Sequence, residues 1–226
     1  MPALDIMTLS MKQETREKIA LVVFLALIAG TLLGVGMYLR VGHSWNHAAT
    51  SIDDARGDME GYSAIVFRGV NVPSSREAEA MADETPVPIT AVVRSYREKG
   101  ALVLRLDVLH PEKYDGEDIF LIGHSRVGVF YAPSTMTPFA IERRIAWYRK
   151  HSVDYTICIA EKSESITRNY EGLDMVLALH SERNIRSGTV YEGMYYVESP
   201  VVGHVGAVLV SPNGIVSSKE IDEIPE

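Results

Sequence analysis

Six residues able to do chemistry stand at the ends of short apolar runs. Arg68 follows Ser63–Phe67, Asp107 and His110 follow Ala101–Leu106, Glu161 follows Val153–Ala160, and His180 with Glu182 follows Leu173–Leu179. Histidine and glutamate are metal-ligand types, and His180-x-Glu182 with His110 or Glu161 has the donor types of one zinc or similar divalent ion. A second chemistry needs no metal: Arg68, with Asp107 beside it, and the two imidazoles can hold an anion such as phosphate by charge-assisted hydrogen bonds. A third reading is structural, with Arg68 in a buried ion pair to Asp107 or Glu161 and His180 capping its strand. Residue types alone leave all three open.

The other candidates carry less. Cys158 is the only cysteine, so no internal disulfide forms, and its apolar run Tyr155–Ala160 marks it as a small buried hydrophobe. Ser125 and Ser181 each follow a histidine, but strand neighbours point to opposite faces, and no Gly-x-Ser-x-Gly elbow is present. No glycine-rich loop of the phosphate-cradling type occurs. His151 at a helix end and His204 in a glycine turn read as surface residues.

The elements that position these residues alternate strand and helix. Ser63–Phe67, bounded by Gly61 and Gly69, is the first core strand. A short serine-capped helix over Ser74–Asp83, a Thr-Pro-Val-Pro break and a helix over Ile89–Lys99 lead to the strand Ala101–Leu106, the pattern of a βαβ unit in a parallel sheet. Ile119–Ile122 and Val127–Tyr131 form a hairpin, and Thr135 or Thr137 caps a helix over about Pro138–Lys150. Two more buried strands, Val153–Ala160 and Leu173–Leu179, follow. Gly193–Val197, Gly203–Val210 and Gly214–Ser217 read as a closing antiparallel meander, and Lys219–Glu226 as a charged, frayed tail. In open α/β sheets ligands bind where parallel strands end, so the residues past Phe67, Leu106, Ala160 and Leu179 are expected to converge.

Over roughly Ala64–Val210 this order resembles the calcineurin-like metallophosphoesterases, particularly the 5′-nucleotidase branch. That family runs a strand into Asp-x-His, a second into Leu-Asp-x-Gly-Asp, later strands into a lone His and Gly-His-x-His, and then a glycine-rich meander. This chain reads Val-Phe-Arg-Gly-Val, Leu-Asp-Val-Leu-His, Val-Asp-Tyr-Thr-Ile-Cys-Ile-Ala-Glu and Leu-Ala-Leu-His-Ser-Glu at those points. The resemblance implies a layered metallophosphoesterase-like α/β domain in which Arg68 stands at the first metal aspartate, Val70 at its paired histidine and His110 at the bridging aspartate. Glu161 stands at the lone histidine, His180 keeps the first histidine of the later pair, and Glu182 replaces the second. The Gly-Asn-His-Asp/Glu element has no counterpart. Two metals about 4 Å apart drive hydrolysis in such sites, so the expectation is a domain that has lost the two-metal centre and binds, senses or scaffolds. The resemblance leaves an active phosphoesterase using one metal held by His110, Glu161, His180 and Glu182 as the alternative, with a cell-envelope interaction protein lacking any pocket as the third. No cofactor is expected on the first reading, one divalent transition metal on the second.

Ile19–Leu39 is uncharged and long enough to cross a bilayer as a helix. Lys12, Arg16 and Lys18 precede it and only Arg40 follows closely, which predicts a cytoplasmic N-terminus and an extracytoplasmic remainder. The expected organisation is a cytoplasmic segment 1–18, a transmembrane helix 19–39, a juxtamembrane stalk 40–61, the α/β domain 62–218 and the tail 219–226. With 30 acidic against 22 basic residues the net charge is −8, which argues against nucleic acid as a partner. The expected partners are the membrane and either a phosphate-containing small molecule or an envelope protein.

Overall fold

The computed structural model describes residues 18, 19, 21–31, 33, 57–166, 168–180, 188–191 and 193–223. The chain divides into two units, residues 1–49 and 50–226. In the first unit the described residues are helical, with Ile19, Phe24 and Leu33 among the exposed apolar side chains. Among the described residues no helix is long and apolar enough to cross a membrane. Residues 20, 32 and 34–39 of the expected span lie outside the described residues, as do 40–56 of the expected stalk.

The second unit is built from two facing sheets. Its elements run β1 (Ser63–Arg68), α1 (Ser75–Ala80), α2 (Ile89–Glu98), β2 (Leu102–Leu106), β3 (Asp118–Ile122), β4 (Ser125–Ala132), α3 (Pro138–Lys150), β5 (Tyr155–Lys162), β6 (Met175–His180), β7 (Thr189–Tyr191), β8 (Met194–Glu198), β9 (Val205–Val210) and β10 (Val216–Ile221). One sheet has the order β10-β9-β1-β2 and the other β3-β4-β5-β6-β8-β7. β1 and β2 are parallel, joined through α1 and α2 as the alternation of apolar runs predicts. β4, β5, β6 and β8 form the parallel centre of the larger sheet. β3 and β4 form the expected hairpin.

Strand periodicity explains the layering. Ile65 and Phe67 of β1 and Leu104 and Leu106 of β2 point into a core shared with Val127, Val129, Ile157, Ile159, Met175, Leu177 and Val197 of the other sheet. The alternate residues face outward: Ala64 and Val66 pack with Ile89, Val92 and Tyr96 of α2. On the far side Phe130, Cys158, Ala160 and Val176 pack with Ile141, Ile145 and Tyr148 of α3. The result is helix, sheet, sheet, helix. The helices start at their sequence signals: Ser74 and Glu77 form a reciprocal capping box on α1, and Thr137 Oγ1 accepts the Ala140 N–H at 3.3 Å on α3.

The expected C-terminal meander is corrected. β8 pairs parallel to β6 inside the larger sheet, while β9 crosses to the smaller one and lies antiparallel to β1 and β10. All five residues of β8 are buried, Met194 and Tyr196 in the helix-side core and Tyr195 and Val197 between the sheets. A strand buried on both faces takes a central place rather than an edge of a meander. β10 continues to Ile221, so the first residues of the expected tail are sheet.

Candidate functional site

Alternation along the strands separates the six residues into groups. Arg68 follows Ala64 and Val66 to the outer face of its sheet, where Arg105 and Asp107 also lie, and with His110 and Ile89 they line a cleft of about 160 Å³. Glu161, in phase with Ile157 and Ile159, belongs to the other sheet, and its carboxylate Oε2 accepts the Ser134 N–H and hydroxyl at 2.7 and 2.5 Å. His180 Nδ1 stands 3.2 Å from Asn71 Oδ1. Glu182 lies outside the described residues.

The ion pairs from Arg68 to Asp107 or Glu161 are not formed. Asp107 is held instead by Lys113, with His110 Nδ1 at 3.3 Å from both carboxylate oxygens. The Lys113 hydrogen bond, and less so that of His110, keeps the Asp107 carboxyl below the usual carboxylate range, and Asp107 in turn raises Lys113. The 3₁₀ turn Pro111–Tyr114 that follows β2 brings Lys113 back, and the buried Tyr114 hydroxyl accepts the Asp107 N–H at 2.9 Å. Ser134 lowers the Glu161 carboxyl in the same way. Each donor of the expected metal set that is described therefore has its own side-chain partner. Among the described residues no three of His, Cys, Asp and Glu are placed to hold a metal ion, and Glu182, the fourth expected donor, lies outside them.

The cleft itself is cationic. Among the described residues the Arg68 guanidinium has no hydrogen-bond or ion-pair partner. α2 begins at Ile89 on the cleft wall; its Pro88 cap supplies no side-chain hydrogen bond and its first turn holds no acid, so the positive end of the helix dipole is unopposed there.

The segment leaving β1 is fixed by residues that carry no sequence signature. Ser199 is fully buried; its hydroxyl accepts the Val70 N–H at 3.0 Å and donates to the Arg68 carbonyl at 3.1 Å. Asn71 Nδ2 donates to the Ser199 carbonyl at 2.5 Å while its other amide atom meets His180, linking both sheets at one edge. Gly69 is required here, because any Cβ would collide with the Val201 carbonyl. His204, expected at the surface, is largely buried between two carboxylates: Nδ1 lies 2.7 Å from Glu220 and Nε2 3.2 Å from Glu84. Burial alone would lower its pKa, but the two carboxylates outweigh that and raise it. Cys158 is buried as expected, and burial pushes its thiol up.

The chain matches no protein-family model and no curated protein. Among solved structures it is similar to a single-mutant Vps29 from Entamoeba histolytica at 10% identity and TM-score 0.23, with 72% of this chain and 99% of that chain covered.

Proposed function

We propose that the chain is a membrane-tethered, extracytoplasmic domain of metallophosphoesterase-like architecture that binds a phosphate-type anion and does not hydrolyse it. One observation carries the reading: Asp107, the acid at the end of β2, is neutralised by Lys113 and contacted by His110, leaving Arg68 to set the charge of the cleft. A carboxylate so engaged offers a metal little, whereas a guanidinium beside a helix N-terminus suits phosphate oxygens. The facing sheets flanked by helices and the order of strand-end residues support the architecture. The uncharged run Ile19–Leu39 supports the tether, and lipid would cover apolar side chains that stand exposed around a helix. The test is titration of the full chain in detergent with orthophosphate, beside Arg68→Ala. Binding weakened about tenfold or more in the variant, the worth of one charge-assisted hydrogen bond, supports the reading; unchanged binding refutes it.

A further inference from the structure

We propose that the cleft continues along α2 as an arginine-lined trough that takes a chain of phosphate groups, free or carried on a lipid headgroup; this rests on the anion-binding reading above. A second cavity of about 480 Å³ is lined by Thr90, Val93, Arg94, Arg97, Glu98 and Arg105. It shares Arg105 with the cleft, and Ile89 of the cleft wall is followed directly by Thr90 of the second cavity. The two spaces therefore follow one another along α2, the cleft at Ile89 and the second cavity from Thr90 to Glu98. Arg94 and Arg97, three apart, share a helix face. Arg105 is in register with Val66, whose side chain packs in the core beneath α2, so it approaches them from the sheet.

Charge gives the ligand class. Glu98 is the one carboxylate in the second lining, and it sits 3.9 Å from Arg94 with both side chains exposed, an arrangement worth little. Asp107 at the other end is taken by Lys113. Arg68, Arg94, Arg97 and Arg105 thus gather in a chain of net charge −8. Like charges brought together repel, and an anion reaching several of them relieves that repulsion. Thr90 to Glu98 spans about 12 Å of helix, so a single phosphate reaches one end of the trough and a phosphate chain reaches along it. The planar guanidinium fork matches phosphate oxygens in pairs.

The experiment is calorimetric titration of the full chain in detergent with tripolyphosphate and with orthophosphate. Tripolyphosphate is expected to bind at least tenfold tighter. Arg94→Ala with Arg97→Ala removes most of that gain and leaves orthophosphate within twofold, while lysine at both positions restores part of it. Equal affinity for the two anions, or a gain that the double variant keeps, overturns the trough and leaves the cleft standing. Failure of orthophosphate to bind at all overturns the cleft and the trough with it. Micelles doped with a lipid diphosphate separate the sources: displacement of tripolyphosphate supports a headgroup, and tripolyphosphate binding without displacement supports a free chain.

Discussion

His204 makes the stability of the domain pH-dependent, with a sign fixed by geometry. A neutral imidazole carries one N–H and one lone pair, so it can donate to Glu220 or to Glu84 but not to both; contact at 2.7 and 3.2 Å on its two nitrogens calls for the imidazolium. The clamp joins three segments, since Glu84 follows the 3₁₀ turn after α1, Glu220 lies on β10, and the His204 carbonyl accepts the Gly69 N–H at 2.9 Å. Charge-assisted hydrogen bonds contribute about 1.5–3 kcal/mol each when shielded. The side chains are 13% exposed for His204, 25% for Glu220 and 44% for Glu84, so the Glu84 contact is discounted to about 0.5 kcal/mol and the titrating part of the clamp is worth about 1–2 kcal/mol. Because the folded-state pKa is raised, this stability is complete below the unfolded value and is lost as pH rises through the folded one. For a domain of this size the loss corresponds to about 3–6 °C in Tm. The assay is thermal unfolding of the full chain between pH 5.5 and 9.5, wild type beside His204→Gln, which keeps one donor and does not titrate. The gap should be widest at the acid end and close as pH rises. A gap that stays constant with pH refutes the imidazolium clamp.

Other substitutions have outcomes set by single contacts. Gly128→Ala brings a Cβ to within 2.6–2.9 Å of the Tyr148 ring and should destabilise the domain by about 1–3 kcal/mol, read as a lower denaturant midpoint at unchanged slope. Glu198 is 5% exposed and among the described residues its Oε1 has no hydrogen-bond partner, so Glu198→Gln, which puts a neutral amide in place of an ionisable carboxyl there, should raise Tm by a few degrees, about 1 kcal/mol. Asp107→Asn removes the one negative charge of the anion cleft and frees Lys113, and should tighten orthophosphate several-fold in calorimetry. Cys158, fully buried, should resist a thiol-alkylating reagent in the folded protein and react on unfolding.

Local elements were legible in the sequence because each depends on a short window. The serine cap at Ser74, a threonine cap on α3 that falls on Thr137 of the two expected, the β3–β4 hairpin and the apolar cores of β1, β2, β5 and β6 all lie within a residue or two of where periodicity and caps place them. The assignment of strands to two sheets was not legible, because a run buried on both faces reads alike in either sheet. That β8 stays with β6 and β9 joins β1 depends on Ser199, Asn71 and Gly69 meeting across about 130 residues of chain, and no local pattern announces such meetings. The candidate residues stand at strand ends as expected, but their faces follow from the sheets: one residue of phase sends Arg68 with Val66 toward α2 and Glu161 with Ile159 toward the core between the sheets. Lys113 was missed because its role needs the 3₁₀ turn that returns it to Asp107, and His204 because both its acids are remote in sequence.

Orthophosphate titration of the full chain after exhaustive chelation, repeated with zinc or manganese restored, tests the central claim most directly. An affinity unchanged by chelation and metal, lost in Arg68→Ala and kept in His180→Ala, is the predicted result. Binding that appears only with the metal and disappears in His180→Ala would contradict the account.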